Sequence, residues 1–126
     1  MHITSFAISL NVPAPRASAD FLKRHFGYTV AMEQEDFFVS LNHPDGGPNV
    51  IFLRTGLGTF KPADRAGSAG EGLLLVFVVD DLDRHHERLV ADGAEVVTEP
   101  ETEPWGERYC QYRDPNRLIV QLVQWV

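Results

Sequence analysis

Between residues 99 and 123 the chain reads EPETEPWGERYCQYRDPNRLIVQLV, gathering a tryptophan, two tyrosines and four glutamates around one glycine. An indole such as Trp105 presents a flat apolar face at little conformational cost, and a stacked ring adds about 0.5–1.5 kcal/mol beyond burial. Gly106 lets the backbone bend directly after it. Glu99, Glu101, Glu103 and Glu107 would make the rim negative, and a cation over the ring adds roughly 0.5–2 kcal/mol. The chemistry offered is therefore recognition of a flat, positively charged molecule. The competing reading is that Trp105 packs against its own loop. Trp125, in a strand-like segment, reads as core or dimer packing.

Other chemistries are poorly supported. The five histidines, His2, His25, His43, His85 and His86, show no metal-motif spacing, and His85 and His86 read as solvated or packing residues on a helix. No GxSxG elbow or glycine-rich phosphate loop occurs, and Cys110 has no evident histidine partner, so it reads as a small packed side chain. A single cysteine cannot form an internal disulfide. The net charge of −7 disfavours nucleic acid and anionic membranes as partners. No leader-like start or membrane-length apolar run is present, so a cytoplasmic location is expected.

The elements that must position these residues come in two similar series. HITSFAISLNV reads as a strand broken by PAP. Ser18 then precedes a helix, ADFLKRHF, with Phe21, Leu22, His25 and Phe26 at helical spacing and Gly27 as its stop. YTVAMEQ, DFFVSLN and NVIFLRT read as three strands, the last two joined by HPDGGP. GLLLVFVVDD then reads as a buried strand. Asp81 is placed to cap LDRHHERLVADG, whose apolar stripe is Leu82, His86, Leu89 and Val90, with Gly93 as stop. AEVVTEP, RYCQYRD and LIVQLVQWV supply three more strands, with DPNR as a turn. The two helix-ending glycines lie about 66 residues apart, a repeat of β-α-β-β-β order. The chain is thus expected to be one α+β domain, 1–126. Module one covers about 1–55 and module two 72–126, with a flexible Gly/Pro/Ala-rich connector at 56–71. Helices should cover one face of each curved sheet, leaving the other to line a cleft.

This repeat, with NVPAPRASADFLKRHFGY in the first half and FVVDDLDRHHERLVADGAEV and RDPNRLIVQL in the second, resembles the vicinal oxygen chelate superfamily. That superfamily spans glyoxalase I, extradiol dioxygenases and the bleomycin-resistance binding proteins. Its metal-dependent members hold the ion on strand positions that fall here on Ala7, Leu74 and Gln121, with Ile51 or Phe52 where glyoxalases have a carboxylate. Alanine, leucine and isoleucine cannot ligate a divalent ion, and a glutamine amide offsets none of its charge. The resemblance therefore implies neither metal nor other cofactor.

PWGERY is similar to the segment of the bleomycin-resistance proteins that precedes their RDP turn. There a tryptophan and a phenylalanine of the partner subunit sandwich the drug. The matching residues are Trp105 and Phe37, with Phe38 as the alternative if the strand register slips. Tyr109 and Gln111 share one strand face, and Ser9 and Asn11 share that of Ala7. Together with Gly106, Glu107 and Phe52 they form the expected ligand-binding set. Arg117 departs from the glycine usual in that turn. The resemblance implies a homodimeric, metal-free protein that sequesters an aromatic, cationic, DNA-damaging antibiotic and confers resistance. The alternative is a lyase, isomerase or dioxygenase of the same superfamily.

Overall fold

Alternation along each strand decides which face of each sheet is buried, because successive side chains point to opposite sides. The computed structural model describes residues 1–69 and 71–126. Two compact units, Met1–Glu71 and Gly72–Val126, divide it.

The first unit runs β1 (Ala7–Val12), α1 (Pro15–Phe26), β2 (Thr29–Gln34), β3 (Phe38–Asn42) and β4 (Asn49–Arg54), with sheet order β1-β4-β3-β2. β1 lies parallel to β4, and the other pairs are antiparallel. Leu10, Val12, Val39, Leu41, Val50 and Phe52 are buried on the face that meets Phe21 and Leu22 of α1. The helix begins at Pro15, four residues before the start that the sequence suggests. Proline suits the first helical position, since its missing N–H has no intrahelical partner to lose. It ends as expected at Gly27, where φ is +75°.

The connector is tied to the first unit. Asn11 Nδ2 donates to the carbonyls of Arg65 and Gly67 at 2.6 and 2.7 Å, and Gly56 N donates to Ala66 O. A short 3-10 turn, Ala63–Arg65, lies within it. Gly70, also in the expected connector, lies outside the described residues.

The second unit repeats the plan: β5 (Leu74–Val78), α2 (Leu82–Ala91), β6 (Glu95–Thr102), β7 (Glu107–Arg113) and β8 (Ile119–Trp125), in order β5-β8-β7-β6. The α+β reading with two βαβββ modules is therefore correct. Leu75, Cys110, Tyr112, Val120 and Leu122 are buried on the face that meets Leu82 and Leu89 of α2. β5 is not the buried strand expected, because Leu74, Val76 and Val78 project from its other face into the open. Val90, assigned to the apolar stripe of α2, is exposed as well.

Asp81 stands at the N-cap but makes no capping bond, since its backbone is left-handed. Gln124 of β8 does that work, accepting from Leu82 N at 2.8 Å. β6 shifts register twice against β7, between Val96 and Thr98 and between Thr98 and Glu101. In the DPNR turn, Asp114 Oδ1 accepts from the amides of Asn116 and Leu118, and Arg117 takes φ +72°. Arginine thus adopts the conformation that glycine would supply, and the turn keeps its shape at the expense of strain.

Candidate functional site

Trp105 sits in the hairpin turn between β6 and β7 and keeps 67% of its surface exposed, so it does not close the loop by packing. The turn is fixed beneath it. Glu103 N donates to Glu107 O, Gly106 N to Glu103 O, and Val126 N to Gly106 O. Gly106 has φ +89°, and a Cβ there would stand 2.8 Å from the Val126 carbonyl oxygen. Position 106 therefore excludes side chains both by conformation and by space.

Below the turn, Tyr109 lies on the face of β7 away from α2, as its alternation with buried Cys110 requires. Its hydroxyl lies 2.7 Å from Glu101 Oε1 and 2.9 Å from Glu103 Oε1, sharing one hydrogen between two carboxylates. Those acceptors push the phenol pKa well above its ordinary value, because ionisation would place a third negative charge among them. Glu107 is on the same face, opposite Trp125, which is 60% exposed and so is no core residue.

Further along, Thr98, Gln111 and Gln121 stand abreast on three neighbouring strands. Thr98 Oγ1 donates to Gln111 Oε1, and Gln111 Nε2 to Gln121 Oε1, both at 2.7 Å. Leu74, Val76 and Val78 border this row with hydrocarbon. Trp105, Gly106, Glu107, Tyr109 and Gln111 thus belong to one region of the second unit.

Other expected residues are placed differently. Glu99 is not part of this rim; it faces α2 and bonds His86. Phe52 is fully buried with Val50 against α1, because it alternates with Ile51 and Leu53, which take the open face instead. Phe37 is not in a strand: Glu35 to Phe37 form a turn in which Phe37 N donates to Gln34 O, and β3 begins one residue later. The guanidinium of Arg54 covers one face of the Phe37 ring at 4.9 Å. Phe38 is the strand residue on the open face, paired with Leu53. Ser9 and Asn11 share the Ala7 face as expected, but the Asn11 amide is spent on the connector.

One cluster was not anticipated. On the helix face of the second sheet, His86 Nδ1 lies 2.7 Å from Tyr112 Oη, and its Nε2 lies 3.0 Å from Glu99 Oε2. Tyr112 Oη in turn lies 3.2 Å from Cys110 Sγ. The signal was a histidine aligned with Leu82 and Leu89 on a packed stripe, where an imidazole needs polar partners. Burial pushes the Cys110 thiol pKa up, so it is not an activated nucleophile. Beside this cluster Arg108 grips Asp83 through two hydrogen bonds and holds that carboxyl below its usual range.

Of the residues that the resemblance sets against metal ligands, Ala7 and Leu74 carry no ligating atom and Gln121 only a neutral amide. Among the described residues, no group of three or more His, Cys, Asp and Glu side chains is gathered to hold one. Nor is any helix long and apolar enough to cross a membrane.

Residues 2–122 match the family model of the Glyoxalase/Bleomycin resistance protein/Dioxygenase superfamily. The chain belongs to that superfamily. Solved structures agree with this glyoxalase-type fold. TioX from Micromonospora sp. ML1 is 24% identical with a TM-score of 0.74, the match covering 98% of this chain and 100% of TioX. A glyoxalase/bleomycin resistance protein/dioxygenase from Nocardioides is 22% identical with a TM-score of 0.77, over 100% of this chain and 85% of the other. Lactoylglutathione lyase from Agrobacterium tumefaciens is 19% identical with a TM-score of 0.77, over 98% and 94%. No curated protein matches the chain.

Proposed function

We propose that this superfamily member is a metal-free binding protein that sequesters an aromatic, cationic, DNA-damaging antibiotic and so confers resistance. The observation that carries the reading is Trp105, held 67% exposed by a turn that only glycine permits at position 106. An exposed indole on a rigid turn has the low-entropy form that stacking favours. The carboxylates of Glu101 and Glu103, gathered by Tyr109, supply negative potential for a positively charged group nearby. The antibiotic would be held without bond making or breaking, and protection would follow from the lowered free concentration. The functional unit is a cytoplasmic homodimer, in which a second copy contributes Phe38 or Phe37 to the opposite face of the bound ring. Two equivalent sites follow from the symmetry.

The test is a tryptophan-fluorescence titration of the metal-free protein with bleomycin and mitomycin, run beside Trp105→Phe because Trp125 also emits. Saturable quenching near one ligand per subunit, weakened at least tenfold in the variant, is the expected result. Unchanged emission across the panel would return Trp105 to a structural role. Stoichiometric zinc, nickel, manganese or iron in the purified protein would favour the enzyme reading.

A further inference from the structure

The row Thr98–Gln111–Gln121 has a direction. The Thr98 hydroxyl donates to the Gln111 carbonyl, the Gln111 amide nitrogen faces Gln121, and Gln121 answers with its own carbonyl. The amide nitrogen of Gln121 is left at the end. The next position in the row is Val76, a hydrocarbon. Among the described residues nothing accepts from Gln121 Nε2. Yet Gln121 keeps only 9% of its surface exposed, between Ile119 and Val123 on its own strand and beside Leu74, Val76 and Val78. The nitrogen itself is not one of the fully buried, unpartnered side-chain atoms and so reaches the surface, and a reachable donor set among apolar side chains is a means of orienting a ligand.

We infer that Gln121 Nε2 is a recognition donor for a neutral carbonyl oxygen, of the quinone, lactam or amide class, on an aromatic ligand that lies over Leu74, Val76 and Val78. This rests on the aromatic-ligand reading above and narrows the ligand's chemistry. A cationic centre placed here would meet N–H hydrogens and be repelled, so any positive charge on the ligand belongs at the Glu101 and Glu103 end. Thr98, which does not adjoin Gln121, contributes to this orientation through Gln111.

The test uses three aromatics of similar size: 1-methyl-2-quinolone, which carries a carbonyl, 1-methylindole, which lacks one, and the cation 1-methylquinolinium. Binding is followed by two-dimensional NMR of the 15N-labelled full chain, including the Gln121 side-chain amide. Gln121→Glu keeps an oxygen toward Gln111 and replaces the outward donor by an acceptor. The quinolone-to-methylindole affinity ratio is expected to fall about tenfold in that variant, with no loss for the cation. Thr98→Val leaves residue 121 untouched but frees both amides to turn, and the same ratio should fall about two- to threefold. A ratio unmoved by either substitution, with all three aromatics still bound, would overturn the role of Gln121 alone. If none of the aromatics binds the unaltered protein, the aromatic-ligand reading falls, and this inference with it.

Discussion

The two faces of the second sheet each carry a directed chain of polar side chains, and the two chains end differently. On the helix face, Cys110, Tyr112, His86 and Glu99 run from the buried core to a carboxylate in water, and each link meets a partner. On the open face, Thr98, Gln111 and Gln121 run from the edge strand toward the middle of the sheet and stop at an amide beside Val76. A chain that terminates in solvent is a way of burying polar atoms safely. The same strand, β7, supplies both, because Cys110 and Tyr112 alternate with Tyr109 and Gln111. The helix face buries Leu75, Cys110, Tyr112, Val120 and Leu122, whereas the other leaves Leu74, Val76 and Val78 exposed while Gln121 and Val123 on it are buried.

That division can be broken by substitution. Leu89→Ala, on the buried side of α2, should destabilise the protein by about 3 kcal/mol, whereas Val76→Ser on the open face should change stability by less than about 0.5 kcal/mol. Urea unfolding compares the two, and similar losses would mean that the open face is also core. Tyr112→Phe removes the middle of the closed chain and should cost about 1–3 kcal/mol, since His86 and Cys110 lose their shared partner.

The same tyrosine, with Tyr109, Cys110 and Tyr28, contributes to alkaline behaviour. Its pKa is raised by burial in the folded chain, so its contribution to stability is whole below the ordinary tyrosine value of 10.0 and declines as pH rises above it. Stability should fall above that pH by about 1.4 kcal/mol per unit for this group, and Tyr112→Phe should flatten the decline in a pH series of unfolding curves. A small effect of opposite sign is expected at the β7–β8 turn. Arg117→Gly should raise stability by about 0.5–1 kcal/mol by relieving the left-handed backbone, read as a small upward shift in Tm.

The repeat of elements was legible because it depends on local pattern. Gly27 and Gly93 end their helices as expected, and strand alternation assigned Tyr109, Gln111, Ser9 and Asn11 to the faces they occupy. What was missed depends on partners distant in sequence. The cap of α2 comes from Gln124, 42 residues from Leu82, and no local rule would pass over Asp81 to find it. Phe52 was misplaced by one step, which in a strand exchanges the faces. Phe37 and Phe38 were separated only by where the Glu35 turn ends. The Cys110–Tyr112–His86–Glu99 chain needed the packing of α2 on β7 before its members could be seen as neighbours.

The irregular register of β6 has a consequence for the behaviour of this protein at high concentration. An edge strand with an even row of free amides and carbonyls is a template on which another chain can add. β6 is a poor template. Its two register shifts interrupt the row, Pro100 removes one donor, and Glu95, Glu99 and Glu101 would bring like charges against any identical strand laid alongside. The edge nearest the Trp105 turn therefore resists fibrillar growth, and an aromatic side chain can stand exposed beside it without drawing copies of the chain into aggregates.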